Sequence, residues 1–337
     1  MHEAPYIWTK EDLESVATCP VCGNEDRTLS YGALNDVVYG VTSGTWQMFR
    51  CQRCRTGFLD PRPNRECIGK AYQAYFTHRG IGRDDFSRLS FVQKIERALA
   101  NGYRNHRFGT NEHPAFQAGA LIGFFLPKFR RRIQRSFRGL NRNDRSKRVL
   151  DVGCGGGNFL YWARAIGCEV YGADPDPVAV RNARENGFSV RNGGIEAFSA
   201  SEIRFHVITI GNVIEHVHDP IDVLRQSFDL LTPGGRLWLE TPNIDSHGHQ
   251  LFGELWWGLD VPRHLVLFNA KSIETALCNI GFKDVSLQPG DTTAMRKKSI
   301  DLAKRHGRST PEHPYRAADS TQADQADVFI VTAVKPE

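Results

Sequence analysis

The sequence predicts an α/β protein: a doubly wound, largely parallel sheet in its C-terminal part, preceded by a small cysteine-bearing module. Three observations predict it. From Arg148 onward, short β-branched segments alternate with amphipathic ones, which is the signature of strand–helix–strand units. A glycine cluster, Gly153-Cys154-Gly155-Gly156-Gly157, falls between the first such strand and the next helix. Near the N-terminus, Cys19/Cys22 and Cys51/Cys54 form two C-x-x-C pairs.

The elements follow in order. Arg148–Val152 reads as a buried strand and Asn158 to about Ile166 as a helix. Cys168–Asp174 is the second strand, and Pro177 opens a helix to about Glu185, as proline suits a first turn. His206–Gly211 is a further buried strand. Ile221, Leu224, Phe228 and Leu231 share one helical face. A turn at Pro233-Gly234-Gly235 leads into the strand Arg236–Thr241. Another helix spans about Lys271–Ile280, and Val285–Gln288 and Asp327–Val334 are the last strands. The polar stretch Pro289–Ala326 is expected to be a loop or lid with one helix near Met295–Lys304.

The 337 residues suit more than one domain. We divide them into residues 1–83, rich in turns and cysteines; 84–147, helical and increasingly basic; and 148–337, the α/β part. The formal charge of +5 is mild and permits an acidic partner without requiring one. No run approaches the roughly 18 apolar residues of a spanning helix. No basic segment followed by an apolar run opens the chain. A cytoplasmic location is therefore expected, and the cysteine pairs read as metal ligands rather than disulfides.

Glycines at a strand–helix junction let backbone approach a ligand, and the helix start offers free N–H groups. A dinucleotide site would place its third glycine at position 158, which is Asn158. The pattern is instead G-x-G-x-G. Asp151 precedes it, where a carboxylate can reach the amino group of a methionine moiety. Asp174 ends the next strand, about where a ribose-binding acid belongs.

The segments VLDVGCGGGNFL, VYGADPDP, FHVITIGNVIEHVHDP and LTPGGRLWLETPN, in that order, resemble the class I S-adenosylmethionine (SAM)-dependent methyltransferases. The resemblance implies a Rossmann-like seven-stranded sheet with helices on both faces. It implies that Gly153, Gly155 and Gly157 line the methionine and ribose of SAM, and that Asp174 takes the ribose hydroxyls. Gly194 and Ile195 would flank the adenine, and Asn212 would face the methionine or the transferring methyl group. Among relatives, the ubiquinone-pathway O-methyltransferases carry a further glutamate three residues before the position of Glu215, and a metal is associated with that cluster. This chain has Asn212 there, a departure that argues against a catalytic metal.

Two segments are candidates for the acceptor side. In Gly211–Val217, His216 is either a general base or, with Glu215, a brace of the turn. In Trp256–Leu265, the tryptophans offer a flat apolar wall of the kind sugars stack on. Arg263 either holds an anionic group of the acceptor or braces a loop against an aspartate. His264 is the first choice for a base and His216 the second.

Four thiolates, Cys19, Cys22, Cys51 and Cys54, suit a structural tetrahedral Zn²⁺, with a hairpin between the pairs; a redox C-x-x-C is the other reading. Such a ribbon before a methyltransferase domain resembles a bacterial subgroup of glycan and natural-product tailoring enzymes, which implies a small-molecule or glycan acceptor. The segment 118–138 sets apolar residues beside Lys128, Arg130, Arg131, Arg132, Arg135 and Arg138. It suits a peripheral contact with an anionic membrane, RNA phosphate or a solvated helix. An RNA methyltransferase and a non-catalytic scaffold are the competing functions. Nucleic acid is disfavoured because the cysteine module carries few clustered lysines.

Overall fold

The computed structural model describes residues 5–72, 86–309 and 322–337. The boundary expected at 83/84, and part of the 289–326 loop, lie outside the described residues. The strands are Leu13–Glu14 (β1), Arg27–Leu34 (β2), Trp46–Cys51 (β3), Gly57–Leu59 (β4), Arg62–Pro63 (β5), Arg148–Val152 (β6), Glu169–Asp174 (β7), Ser189–Asn192 (β8), Phe205–Gly211 (β9), Leu231–Pro242 (β10), Val266–Leu267 (β11), Lys283–Pro289 (β12) and Val328–Val334 (β13).

Seven of them form one mixed sheet in the order β12-β13-β10-β9-β6-β7-β8. The β6–β7 and β7–β8 pairs are parallel, and β12–β13 is antiparallel. The order reverses direction beside β6, where a ligand crevice forms at the carboxyl ends of strands in such sheets. Sequence and structure differ at one strand: β10 begins at Leu231, directly after the helix Pro220–Leu230, and takes in the expected Pro233–Gly235 turn.

The chain divides into two compact units. One comprises Phe76–Thr209 and Leu230–Trp238; the other comprises Met1–Tyr75, Ile210–Asp229 and Leu239–Glu337. In the first, Val149, Leu150 and Val152 of β6 are buried, as strands covered on both faces require. The helix Asn158–Ile166 buries Phe159, Leu160, Ala163 and Ile166 on one stripe. Pro177–Glu185 starts where Asp176 accepts the Val178 N–H at 2.9 Å. The segment before β6 is helical, with Phe91–Phe108, Ala118–Phe125 and Pro127–Arg135. Its end is core: Phe137 stacks on Phe108 with ring centroids 3.6 Å apart, in one cluster with Val149, Phe159 and Ile166.

In the second unit, β2, β3 and β4 form a sheet that β11 completes. The strand closing the cysteine-bearing sheet therefore comes from some 200 residues downstream, by the numbering of Val266 and Gly57, and no local sequence pattern announces it.

Candidate active site

In the first unit, β6 runs into the glycine loop. Gly153, Gly155 and Gly157 have φ of +71°, +52° and +92°, values that favour glycine. A Cβ on Gly157 would lie 2.8 Å from the Phe188 ring, whereas one on Gly155 would meet nothing within 4 Å. The loop is therefore packed at one end and open at the other. Asp174, at the end of β7, accepts the Gly155 N–H at 2.7 Å and the Asp176 N–H at 2.9 Å, one on each oxygen. The carboxylate is thus fixed with lone pairs remaining for further donors. Burial raises its pKa.

Asp151 is divided where the sequence reading gave it wholly to a cofactor. Its Oδ1 accepts from Thr209 Oγ1 at 2.7 Å and pairs with the Arg138 guanidinium. Its Oδ2 is buried with no partner among the described residues. An orphaned buried acceptor is costly unless something absent satisfies it, and the ammonium of SAM has the chemistry to do so. Burial raises the Asp151 pKa, against the pull of Arg138. Arg138 was read only as part of a basic run. Its guanidinium instead lies over Phe159 and Trp238, 4.7 and 5.4 Å from the ring centroids. Gly194 donates its N–H to Glu196 at 2.6 Å, and Ile195 is buried. Taken together, the open face at Gly155, the fixed Asp174 and the orphaned Asp151 oxygen fit a SAM molecule.

In the second unit, Asn212 takes φ of +54°, its N–H donates to Glu240 O at 2.7 Å, and its side chain is exposed. The short 3₁₀ turn Ile214–His216 then buries Glu215 completely. Thr241 Oγ1 donates to its Oε2 at 3.0 Å; Oε1 is buried without a partner among the described residues. Burial pushes the Glu215 carboxyl up to about 8.

His216 and His264 come together from 48 positions apart, by their numbering, with ring centroids 4.6 Å apart. Each points Nδ1 at a carbonyl: His264 at Gly258 O, 2.8 Å, and His216 at Arg263 O, 3.0 Å. A carbonyl only accepts, so His264 Nδ1 carries the proton. Tyr72 Oη also lies 2.9 Å from His216 Nδ1. Burial lowers the pKa of His216 to about 3, assisted by the His264 ring, and that of His264 to about 4. Both imidazoles are neutral near pH 7.

Arg263 has its guanidinium fully buried. Nε donates to Asp260 Oδ1 at 2.8 Å, and Nη1 donates to Asp36 Oδ2 and Ala71 O, each at 3.1 Å. This is the bracing arrangement, with Asp36 as a second carboxylate that the sequence reading did not include. The tryptophan wall needs correction. Trp256 is 1% exposed and donates its indole N–H to Asp327 Oδ1 at 3.2 Å, so its faces are core. Trp257 is half-buried, with Lys298 Nζ 4.4 Å over its ring.

The four cysteines converge in the same unit. Cys19–Cys54 and Cys22–Cys51 sulfur pairs are each 3.5 Å apart, and all four sulfurs lie within 4.8 Å. Thiolates held at about 2.3 Å from one tetrahedral ion would sit about 3.8 Å apart, so the donor set fits a zinc ion. The hairpin expected between the pairs is β2–β3.

Residues 125–287 match a family described as a methyltransferase domain. A "Ubiquinone biosynthesis O-methyltransferase" of Cereibacter sphaeroides is 40% identical over 102 residues, which cover 28% of this chain and 41% of that protein. One of Ruegeria pomeroyi is 40% identical over 94 residues, covering 26% and 38%. The chain thus spans about two fifths of the length of the curated relatives it matches. A SAM-dependent methyltransferase structure from Archaeoglobus fulgidus is 18% identical, covers 64% of this chain and 94% of its own, and has a TM-score of 0.41. A possible histamine N-methyltransferase from Thermotoga maritima is 16% identical, with 73% and 96% covered and a TM-score of 0.43.

Proposed function

We propose, from the match of residues 125–287 to a methyltransferase-domain family, that this chain transfers the SAM methyl group to an oxygen of a small molecule. The observation that carries the reading is the glycine loop with its two acids. Asp174 is fixed by two backbone N–H groups and keeps lone pairs for the ribose hydroxyls. Asp151 Oδ2 awaits a donor, which the cofactor ammonium supplies. Gly153, Gly155 and Gly157 border the methionine and ribose, and Gly194 and Ile195 the adenine. In the reaction the sulfonium C–S bond breaks as the acceptor O–C bond forms. The acceptor's proton goes to a base, and S-adenosylhomocysteine leaves.

The base belongs to the Glu215–His216–His264 cluster, whose imidazoles are neutral, each with Nδ1 against a backbone carbonyl. Arg263 is a positioning residue that holds this loop through Asp36 and Asp260. Proximity on the enzyme supplies roughly 7–11 kcal/mol of the barrier reduction, and a base adds about 10²–10⁴-fold. O-methylation of a small molecule agrees with the relatives' printed names. A glycan acceptor loses the support of Trp256, which is buried. The four cysteines hold a structural zinc ion.

The helical segment supplies a peripheral contact with an anionic membrane. Phe91, Val92, Leu121, Phe125 and Leu126 are each at least 53% exposed, next to the basic helix Pro127–Arg135. No helix of the described residues is long and apolar enough to cross a membrane. Sedimentation with phosphatidylglycerol vesicles tests the contact, and absence of binding removes it. The acceptor is identified by tritiated methyl transfer from SAM into fractionated cell extract. Label in a small-molecule fraction is expected; label confined to RNA would replace this reading with the nucleic-acid one.

A further inference from the structure

We propose that the groove between the second cysteine knuckle and the helices Pro220–Leu230 and Ala270–Ile280 binds a phosphate-bearing small molecule, held by Arg53, Arg55, Arg225 and Lys271. All of these residues lie in the second unit, and no step of methyl transfer passes through them. The groove has a volume of about 980 Å³, within the roughly 300–1,000 Å³ of small-molecule pockets. A bare phosphate ion would leave most of it empty, so the ligand carries a body as well as a charge. A bounded concavity of this size suits such a ligand better than an extended polyanion.

The charges on its wall are unbalanced. The side chains of Arg53, Arg55, Arg225 and Lys271 are exposed and have no hydrogen-bond or ion-pair partner among the described residues. The other ionised groups there are already engaged. Arg62 donates from Nε to Glu14 Oε1 at 2.7 Å and from Nη1 to His218 O at 3.1 Å. Asp245 accepts from Arg50 Nη2 at 2.6 Å, and Asp219 accepts the Asp222 N–H at 3.0 Å. These acids serve local structure, and the four cations keep a positive field in the groove. A phosphoryl group offsets it through charge-assisted, bidentate guanidinium contacts.

Arg55 supplies a second observation. It follows Cys54 directly and takes φ of +63°, in the left-handed region that disfavours any residue with a side chain. The matching position of the first knuckle, after Cys22, is Gly23 at φ +70°. Glycine would relieve the second knuckle too, yet an exposed guanidinium stands there on the groove wall. A strained residue whose side chain contacts nothing in its own fold points to a ligand. The wall itself is tied together. Asn269 accepts the Ser272 N–H at 2.8 Å at the start of the helix Ala270–Ile280, and its Nδ2 donates to Cys54 O at 3.0 Å. The backbone carrying Arg53, Arg55 and Lys271 is therefore one framework.

The test is titration calorimetry of the full chain with inorganic pyrophosphate at about 0.15 M salt. It compares wild type, Arg55→Gly, Arg225→Ala and the control Arg181→Ala, an exposed arginine of the helix Pro177–Glu185 outside the groove. Wild type and the control should bind one pyrophosphate per chain saturably, and both groove variants should bind it at least about 10-fold more weakly. Arg55→Gly should melt no lower than wild type, which separates lost binding from lost structure; should it unfold, the helix-borne Arg225→Ala carries the comparison. Glycerol phosphate and phosphatidylglycerol vesicles, as competitors, distinguish a free phosphate ester from a lipid headgroup, and displacement by either supports the site. Absence of saturable binding, or equal binding in wild type and a folded groove variant, overturns the proposal. So does a single-stranded RNA that displaces pyrophosphate and itself binds more weakly to both groove variants, since the groove would then belong to nucleic acid. SAM titrated into the same samples keeps each of these results apart from the methyltransferase reading.

Discussion

The glycine loop and the histidine cluster solve opposite problems. Around Gly155 the chain withdraws its side chains, leaving an open face, a carboxylate fixed by backbone and an acceptor oxygen without a donor. Around His264 it does the reverse, burying an arginine, two aspartates, a histidine and a glutamate against one another beside the half-exposed His216. The first arrangement uses backbone geometry and tolerates little change in shape. The second uses charge compensation and tolerates little change in charge.

The comparison can be broken most forcefully at Arg263. Arg263→Leu removes the partner of the buried Asp36 and Asp260 carboxylates, and should cost about 3–5 kcal/mol in urea unfolding. A loss below about 1 kcal/mol would mean that charge compensation does not organise this region. Next comes Asp174→Ala, which should weaken SAM binding by at least about 100-fold, near 2.7 kcal/mol, while leaving unfolding less affected than Arg263→Leu does. Calorimetry and urea titration on the same protein separate the two. Gly157→Val then probes shape. The new Cβ meets Phe188 at 2.8 Å with φ at +92°, a strain of about 1–3 kcal/mol; an unchanged unfolding midpoint would show the loop to be slack.

The smallest expected effect is in pH. Burial raises the pKa of Asp151 and of Asp174, and both must be ionised to accept from the cofactor. SAM affinity should therefore start to fall, as pH drops, at values above the ordinary aspartate pKa of about 3.9. His216, near 3, stays neutral across that window and His264, near 4, charges only at its acid end, so a fall in affinity already under way at about pH 5 belongs to the carboxylates. Calorimetry from about pH 4 upward reads it. A flat profile, or a limb that vanishes in His264→Ala, would reassign it.

How much was legible follows from the same contrast. The glycine loop is written in one stretch: Asp151, the three glycines and Asp174 are local in sequence, and the two acids lie at the strand ends expected of them. Arg138 was visible but misassigned, because a guanidinium in a run of arginines carries no mark of the ring faces and carboxylate it will meet. The histidine cluster and its brace are assembled from Asp36, Ala71, Glu215, Thr241 and the 258–264 loop. Tertiary contact alone unites them. Trp256 misled for a related reason: an aromatic pair next to a strand end reads as a binding wall until the burial of one member is known.

The central claim is that the glycine loop with Asp151 and Asp174 holds SAM. Titration calorimetry of the wild-type chain with SAM tests it most directly. Saturable binding of one SAM per chain, competed by S-adenosylhomocysteine, is the predicted result; absence of binding to the folded chain would contradict it.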